Sequence, residues 1–123
     1  MSDQQVSPAN VPTQIRLDQS KELLTVSFQS GEVFEYSAEY LRVFSPSAEV
    51  QGHSEAERKL QWGKSGVIIT EISPVGNYAI RIEFSDGHNT GFYSWVYLEK
   101  LGREHDELWA GYLDELEREG KSR

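Results

Sequence analysis

Segments in which apolar and polar residues alternate recur between residues 15 and 93, and turn sequences separate them. A period of two places the apolar side chains on one face of a β-strand, whereas a helix needs them three or four residues apart. The pattern therefore predicts short strands with one buried face. The alternating segments are residues 15–17, 24–28, 33–36, 78–84 and 90–93, and residues 67–72 are almost wholly apolar.

Turn sequences join these strands in close pairs. Residues 29–32 contain Gly31, which is free to adopt a positive φ, and residues 74–77 connect the two strongest strands. Asp86-Gly87 is a dipeptide typical of tight hairpins. Because hairpins join antiparallel neighbours, the sequence predicts an antiparallel sheet.

Helical patterns lie between and after the strands. Ser37 can cap a short helix through Phe44, and Ser94 can cap a second helix, with Gly102 suited to the position after its last turn. Residues 104–119 have the apolar stripe of an amphipathic helix. The predicted class is α+β, an antiparallel sheet of hairpins with a short helix after the first strands and two C-terminal helices.

The length of 123 residues indicates one domain. Apolar residues make up 37% of the chain, which is enough for a core that needs no metal or disulfide. Residues 1–13 are polar and hold two prolines, and we predict a flexible tail there, followed by a single domain over residues 14–120. Residues 45–66 lack a long periodic pattern and are predicted to form a long loop, which in compact domains is often functional.

Acidic residues outnumber basic ones by 20 to 12, for a net charge of −8. A nucleic-acid binder must neutralise phosphates with Lys and Arg, so this balance disfavours nucleic acid and anionic membranes as partners. No segment approaches the ~20 apolar residues of a membrane helix, and the polar N-terminus is not a secretory signal. We therefore expect a cytoplasmic protein that binds neither nucleic acid nor membrane.

The sequence contains no cysteine, which excludes disulfides, thiolate zinc sites and cysteine nucleophiles. It also contains no nucleophile elbow, phosphate loop or dinucleotide fingerprint. Two alternatives involve histidine. His53 and His88, with a carboxylate such as Glu49 or Asp86, are residue types that hold iron or zinc. His53 with Glu49 can instead be the acid–base pair of an enzyme.

Aromatic residues cluster in two places. Trp62 lies in the long loop and is the best candidate for an exposed aromatic side chain, whereas Tyr93 and Trp95 belong either to the core or to a partner site. His105 opens the last helix and is expected to be solvated. The acidic face of that helix is either plain solvated surface or a docking face for a basic partner.

Four motifs in order resemble a known family. They are residues 40–53 (YLRVFSPSAEVQGH), 74–78 (PVGNY), 86–88 (DGH) and 93–98 (YSWVYL). Together they resemble the γ-butyrobetaine-hydroxylase-like N-terminal domain, which bacteria also have as a small stand-alone protein of unknown function. The resemblance covers about residues 14–102.

In oxygenase members of that family the domain precedes a separate iron- and 2-oxoglutarate-dependent catalytic domain and holds a structural zinc with three cysteines and a histidine. The resemblance places these ligands at Ser45, Ser47, Val50 and His88. Serine is a poor zinc ligand and valine is none, so the resemblance implies a domain without zinc and without the hydroxylase activity. Related domains fused to a P-loop iron–sulfur carrier imply an accessory role in iron–sulfur or metal metabolism.

The leading hypothesis is a non-catalytic interaction domain without a cofactor that binds a protein partner. Its surface would be the 45–65 loop, the aromatic cluster beside it, or both. The alternatives are a metal-binding accessory protein that holds iron or zinc through His53 and His88, and an enzyme. The predicted partner contacts are Arg42, Glu49, His53, Trp62, Tyr93 and Trp95.

Overall fold

The computed structural model describes residues 10–52 and 58–123, and within them it has the predicted α+β class. Short helices follow the first three strands, and two longer helices end the chain. None of the helices in these two ranges is long and apolar enough to cross a membrane. The elements are β1 (Pro12–Leu17), β2 (Leu23–Phe28), β3 (Val33–Ser37), α1 (Ala38–Val43), α2 (Ala48–Gln51), β4 (Ile69–Val75), β5 (Ala79–Phe84), β6 (Gly91–Ser94), α3 (Trp95–Arg103) and α4 (His105–Glu119).

The strands form two antiparallel sheets of three strands each, in the orders β1-β2-β3 and β4-β5-β6. The three predicted hairpins are confirmed, one in the first sheet and two in the second, and β1 and β2 form a fourth for which no turn sequence was named. Gly31 and Gly87 have φ of 94° and 90° in two of the turns, a region that side chains with a Cβ disfavour. The backbone N–H of Ile69 donates to the carbonyl oxygen of Lys21 (2.9 Å), which ties the start of β4 to the β1–β2 turn.

One hydrophobic core lies between the two sheets, α1 and α3. Residues two apart on β2 and on β5 point into it, as the alternating pattern predicted. α4 adds a smaller cluster next to the end of α1. The most deeply buried members of the main core are Leu24, Val26, Tyr36, Tyr40, Leu41, Ile69, Ile82, Tyr93 and Leu98.

Three buried tyrosine hydroxyls and the half-buried Tyr97 hydroxyl attach α1 and α3 to the core. Each donates to a backbone carbonyl oxygen of these helices or their caps, and three of the four carbonyls lie at a C-terminal end, where the helix itself supplies no partner. The distances are 2.5 to 2.6 Å. The pairs are Tyr36 with Leu98, Tyr40 with Leu101, Tyr93 with Leu41, and Tyr97 with Phe44.

The predicted tail ends earlier than expected. β1 begins at Pro12, and the side-chain amide of Asn10 donates to the Glu99 carboxylate on α3 (2.9 Å). Proline is tolerated at the first residue of an edge strand because it needs no donor there. The prediction was therefore wrong for residues 10–13.

Pro74 lies in β4 and not in the predicted turn. It pairs with Ile80, and β4 is an edge strand, so the missing N–H leaves no gap in a central ladder. The predicted strand over residues 67–72 is therefore shifted, to Ile69–Val75.

Gly102 lies inside α3, whereas the sequence pattern placed it after the helix. A Cβ at this position would lie 2.4 Å from Cγ of Phe34 on β3, so Gly102 allows the close packing of helix on strand. The predicted caps are confirmed. Ser37 Oγ accepts from the Tyr40 N–H (3.0 Å), and Ser94 Oγ accepts from the Tyr97 N–H (3.1 Å).

The predicted long loop contains a helical turn that the sequence analysis missed. Ser47 caps α2 by accepting a hydrogen bond from the Glu49 N–H (3.1 Å). With only four residues, α2 is too short to show a periodic apolar pattern.

Candidate functional site

A polar cluster joins residues 44–52, which we call the α1–α2 segment, to the hairpin of β5 and β6. We call it the His88 cluster, and its members are Ser45, Ser47, Glu49, His88 and Thr90. His88 is buried and contacts a neighbour through each ring nitrogen. Nε2 lies 2.8 Å from Ser45 Oγ, and Nδ1 lies 3.2 Å from Glu49 Oε1. Ser47 Oγ lies 2.5 Å from Thr90 Oγ1.

Burial lowers the pKa of His88, and the positive charge of Arg42 lowers it further, against the opposing charges of Glu49 and Asp86. The imidazole is therefore neutral at neutral pH. Its Nδ1–H donates to Glu49, and its Nε2 accepts from the Ser45 hydroxyl. Ser45 Oγ in turn accepts the Ser47 backbone N–H (3.2 Å), so the cluster satisfies its own polar atoms.

Serine, histidine and a carboxylate in this order are also the residue types of a nucleophilic triad. Here Ser45 is completely buried. A Cβ at Gly91 would lie only 2.5 Å from Ser45 Oγ, so the backbone of β6 closes over the hydroxyl. A reacting carbonyl needs a site about 3 Å from the nucleophile. The described residues leave none.

The same positions do not fit the zinc that the resemblance implies for other members. The two serine hydroxyls are hydrogen-bonded inside the cluster, Val50 is buried and has no donor atom, and both nitrogens of His88 are engaged. Within residues 10–52 and 58–123, no three His, Asp or Glu side chains come together as a metal site would need. His53 lies outside the described residues, so its pairing with His88 or with Glu49 stays a prediction.

Arg42 and Asp86 form an ion pair beside the His88 cluster. Arg42 Nε donates to Asp86 Oδ2 (2.8 Å), and Lys64 Nζ donates to the same oxygen (2.7 Å). The backbone N–H of His88 donates to the other carboxylate oxygen of Asp86, Oδ1 (3.2 Å). Burial alone would raise the pKa of Asp86, but these donors lower it to about 2. Glu49 thus contacts the His88 ring and Asp86 its backbone N–H, as hydrogen bonding within the protein, whereas the predicted metal site also needs His53, which lies outside the described residues.

Two of the predicted partner contacts are internal residues. Arg42 is 7% exposed and points at Asp86, and Tyr93 is 0% exposed with its hydroxyl bonded to Leu41. Neither offers a surface, so their assignment as contacts was wrong. The sequence pattern could not distinguish them, because arginine and tyrosine are common both at interfaces and, when paired, inside proteins.

The other described candidates reach solvent. Trp62 is 53% exposed, as predicted, and the ammonium group of Lys121 lies 4.9 Å from the centre of its ring. The Glu49 side chain is 65% exposed. Trp95 is half-buried, and its indole N–H donates to the carbonyl oxygen of Asn77 (2.8 Å).

A groove of about 820 Å³ lies between the α1–α2 segment, α3 and α4, which is within the usual size range of ligand sites. Sequence analysis missed it because its walls come from segments up to about 70 residues apart, which only the fold brings together. The α1–α2 segment belongs to the predicted functional loop. The described lining consists of Phe44, Pro46, Gln51, Gly52, Arg58, Tyr97, Lys100, Leu101, Glu107, Leu108, Gly111, Tyr112 and Glu115.

Solved structures similar to the chain include two that match nearly all of its length and one that matches about four fifths of it. One, determined in solution by NMR, is 42% identical with a TM-score of 0.82, and the match covers 94% of this chain and 91% of the other. A second NMR structure, also 42% identical, has a TM-score of 0.81, and the match covers 100% of this chain and 90% of the other. A crystal structure from Acidithiobacillus ferrooxidans is 34% identical with a TM-score of 0.64, and the match covers 79% of this chain and 98% of the other. That protein is described as a member of the DUF971 family with unknown function.

None of the curated proteins matches the chain. The family model of the γ-butyrobetaine hydroxylase-like N-terminal domain matches residues 15–99, which is more than half of the sequence and includes all four motifs up to the first turn of α3. The resemblance read from these motifs is confirmed: the chain belongs to the γ-butyrobetaine hydroxylase-like N-terminal family.

Proposed function

We propose that the chain is a non-catalytic interaction domain that binds a protein partner in the groove between the α1–α2 segment, α3 and α4. The groove, with a volume of about 820 Å³, is the observation that carries this proposal. The surface belongs in part to the loop that the sequence analysis singled out, and α3 and α4 supply the rest.

The floor of the groove is apolar and aromatic. Tyr97 and Tyr112 line it, yet their hydroxyls donate to the carbonyl oxygens of Phe44 (2.6 Å) and Gln61 (2.7 Å). The half-buried Tyr97 ring therefore presents mainly hydrocarbon to an occupant, and the half-buried Phe44 and Leu108 extend this surface. Tyr112 and Leu101 are almost fully buried where they line the groove. Such a floor with a charged rim is typical of protein interfaces.

The walls of the groove are held in place. Arg58 Nη2 lies 2.7 Å from Glu115 Oε1, which fixes the part of the chain that follows α2 onto α4. The Gly63 N–H donates to the carbonyl oxygen of Ser122 (3.0 Å), which adds a backbone contact between the same two parts. A rigid site loses less conformational entropy on binding, so these contacts favour recognition.

The residue types of the groove support binding over catalysis. Its described lining does contain residue types that act as general acids or bases, but most of them are engaged inside the protein. Glu115 is paired with Arg58, and the hydroxyls of Tyr97 and Tyr112 are bonded to backbone carbonyl oxygens. The serine and histidine of the His88 cluster are buried in the fold and do not line the groove.

Site-specific photocrosslinking tests the proposal. Benzoyl-phenylalanine in place of Lys100 puts the photoreactive group at the groove rim, and the same residue in place of Val33, which is 58% exposed on β3, is the matched control. We expect light-dependent adducts with one protein in cells for the Lys100 position and none for the Val33 position. Equal adducts at both positions, or no adduct at either, would contradict the proposal.

A further inference from the structure

Gly111 lies near the middle of α4, where glycine is about 1 kcal/mol less favourable than alanine. Its φ is not positive, so the backbone does not require glycine. A Cβ at this position would meet no atom of the described chain within 4 Å, whereas at Gly102 it would clash with Phe34. Nothing in the described protein therefore explains why this helix position has no side chain.

The position of Gly111 gives the reason. It is at the centre of the α4 face that lines the groove, with Glu107 one turn before it and Glu115 one turn after it. The face from Glu107 to Glu115 is about 12 Å long at the rise of an α-helix. Glycine leaves the helix backbone bare there, which lets another chain cross it closely.

The charges around this face favour a cationic occupant. Glu107 is exposed and has no ion pair with any described residue, whereas Glu115 is paired with Arg58. Lys100 is the remaining cation of the described lining, on the opposite wall. The wider surface of α4 is acidic, since six carboxylates accompany one arginine, Arg118, which pairs with Asp114. The carboxylates are Asp106, Glu107, Asp114, Glu115, Glu117 and Glu119.

We propose, on the basis of the proposed function, that the occupant is a basic amphipathic segment of a protein partner that crosses α4 at Gly111. Its apolar side chains enter the aromatic groove, and its lysines or arginines face Glu107 and the acidic surface of α4. Opposite charge on the two surfaces raises the association rate and selects this class of partner, while apolar burial in the groove supplies the affinity.

Two synthetic amphipathic peptides of about 15 residues test this inference. They share one leucine- and phenylalanine-rich face, and their polar faces carry only lysine in one peptide and only glutamate in the other. Titration into the ¹⁵N-labelled full chain should shift the amide signals of Lys100, Leu108 and Gly111. We expect the lysine peptide to bind at least about tenfold more tightly, with an affinity that falls as salt rises.

Three variants locate the binding. Gly111→Leu adds a side chain to the groove, and its Cβ meets no neighbouring atom of the described chain within 4 Å, so we expect the variant to fold and to bind the lysine peptide about tenfold more weakly. Ala110→Leu adds the same side chain at an exposed neighbour that does not line the groove, and should bind as the wild type does. Glu107→Lys changes only an exposed side chain and should reduce the preference for the lysine peptide.

Equal affinity for the two peptides would overturn the inference, as would binding that neither Gly111→Leu nor Glu107→Lys changes. Shifts that map to the exposed Phe92 and Val96, away from α4, would overturn it as well. If neither peptide binds while crosslinking at Lys100 still captures a protein, the proposal of a basic amphipathic occupant is wrong and the proposed interaction function stands. If crosslinking fails as well, both are wrong.

Discussion

Ser45 and Gly91 lie in contact where the α1–α2 segment meets β6, and the contact is tight enough to test by substitution. In Gly91→Ala the new Cβ would lie 2.5 Å from Ser45 Oγ and 3.1 Å from Cε1 of Tyr93. We expect the free energy of unfolding to fall by about 1–3 kcal/mol, because a packed interior resists added volume. Urea unfolding followed by circular dichroism measures the change.

The companion variant Ser45→Ala separates this clash from other effects. On its own it leaves His88 Nε2 without its donor in a buried site, which costs about 1–3 kcal/mol. In the double variant the oxygen that the new Cβ would strike is gone, so Gly91→Ala should cost less than it does in the wild type. Additive losses would show that the two residues do not interact as described.

At the scale of the helices, the tyrosine hydroxyls that bond to the ends of α1 and α3 are expected to stabilise the fold. Tyr97→Phe removes only the hydroxyl that donates to the Phe44 carbonyl oxygen (2.6 Å), and should lower the free energy of unfolding by about 1 kcal/mol. Tyr78 is 59% exposed, so Tyr78→Phe is a matched control with no expected change. Equal stability of the two variants in thermal unfolding would rule out this role.

The elements also show which features of the fold are readable from sequence. The turns at Gly31 and Gly87 and the caps at Ser37 and Ser94 depend on a few neighbouring residues, and all four appear as predicted. Gly102 was misplaced because its reason is the ring of Phe34, which is far away in sequence. Propensity describes local conformation well and close packing between distant elements poorly.

The same division holds for the candidate site. The exposure of Trp62 was predicted, whereas Glu49 or Asp86 was grouped with His88 only as one ligand of a metal site that also needs His53. The groove was not predicted, because its lining residues come from segments that are far apart in sequence. The usable signal was Gly111 in the middle of a strongly amphipathic helix, where a glycine needs an explanation.

For the whole molecule, the titration of the His88 region links stability to pH. The pKa of His88 is below its ordinary value of 6.5, so the unfolded chain binds more protons than the folded one as the pH falls through that range. The free energy of unfolding should therefore be retained above about pH 6.5 and decline below it. The pKa of Asp86 is about 2 in the folded chain, against an ordinary value of 3.8. The free energy of unfolding should therefore decline a second time as the pH falls from about 3.8 to about 2.

His88→Gln keeps a polar side chain beside Ser45 and Glu49 and removes the titrating group. It should abolish the first decline and leave the second, because Lys64 and Arg42 still hold Asp86 ionised. Urea unfolding of both proteins from about pH 8 to about pH 2 measures both windows. Identical slopes between about pH 7 and pH 5 would mean that acid destabilisation arises elsewhere on this carboxylate-rich chain and not at the buried imidazole.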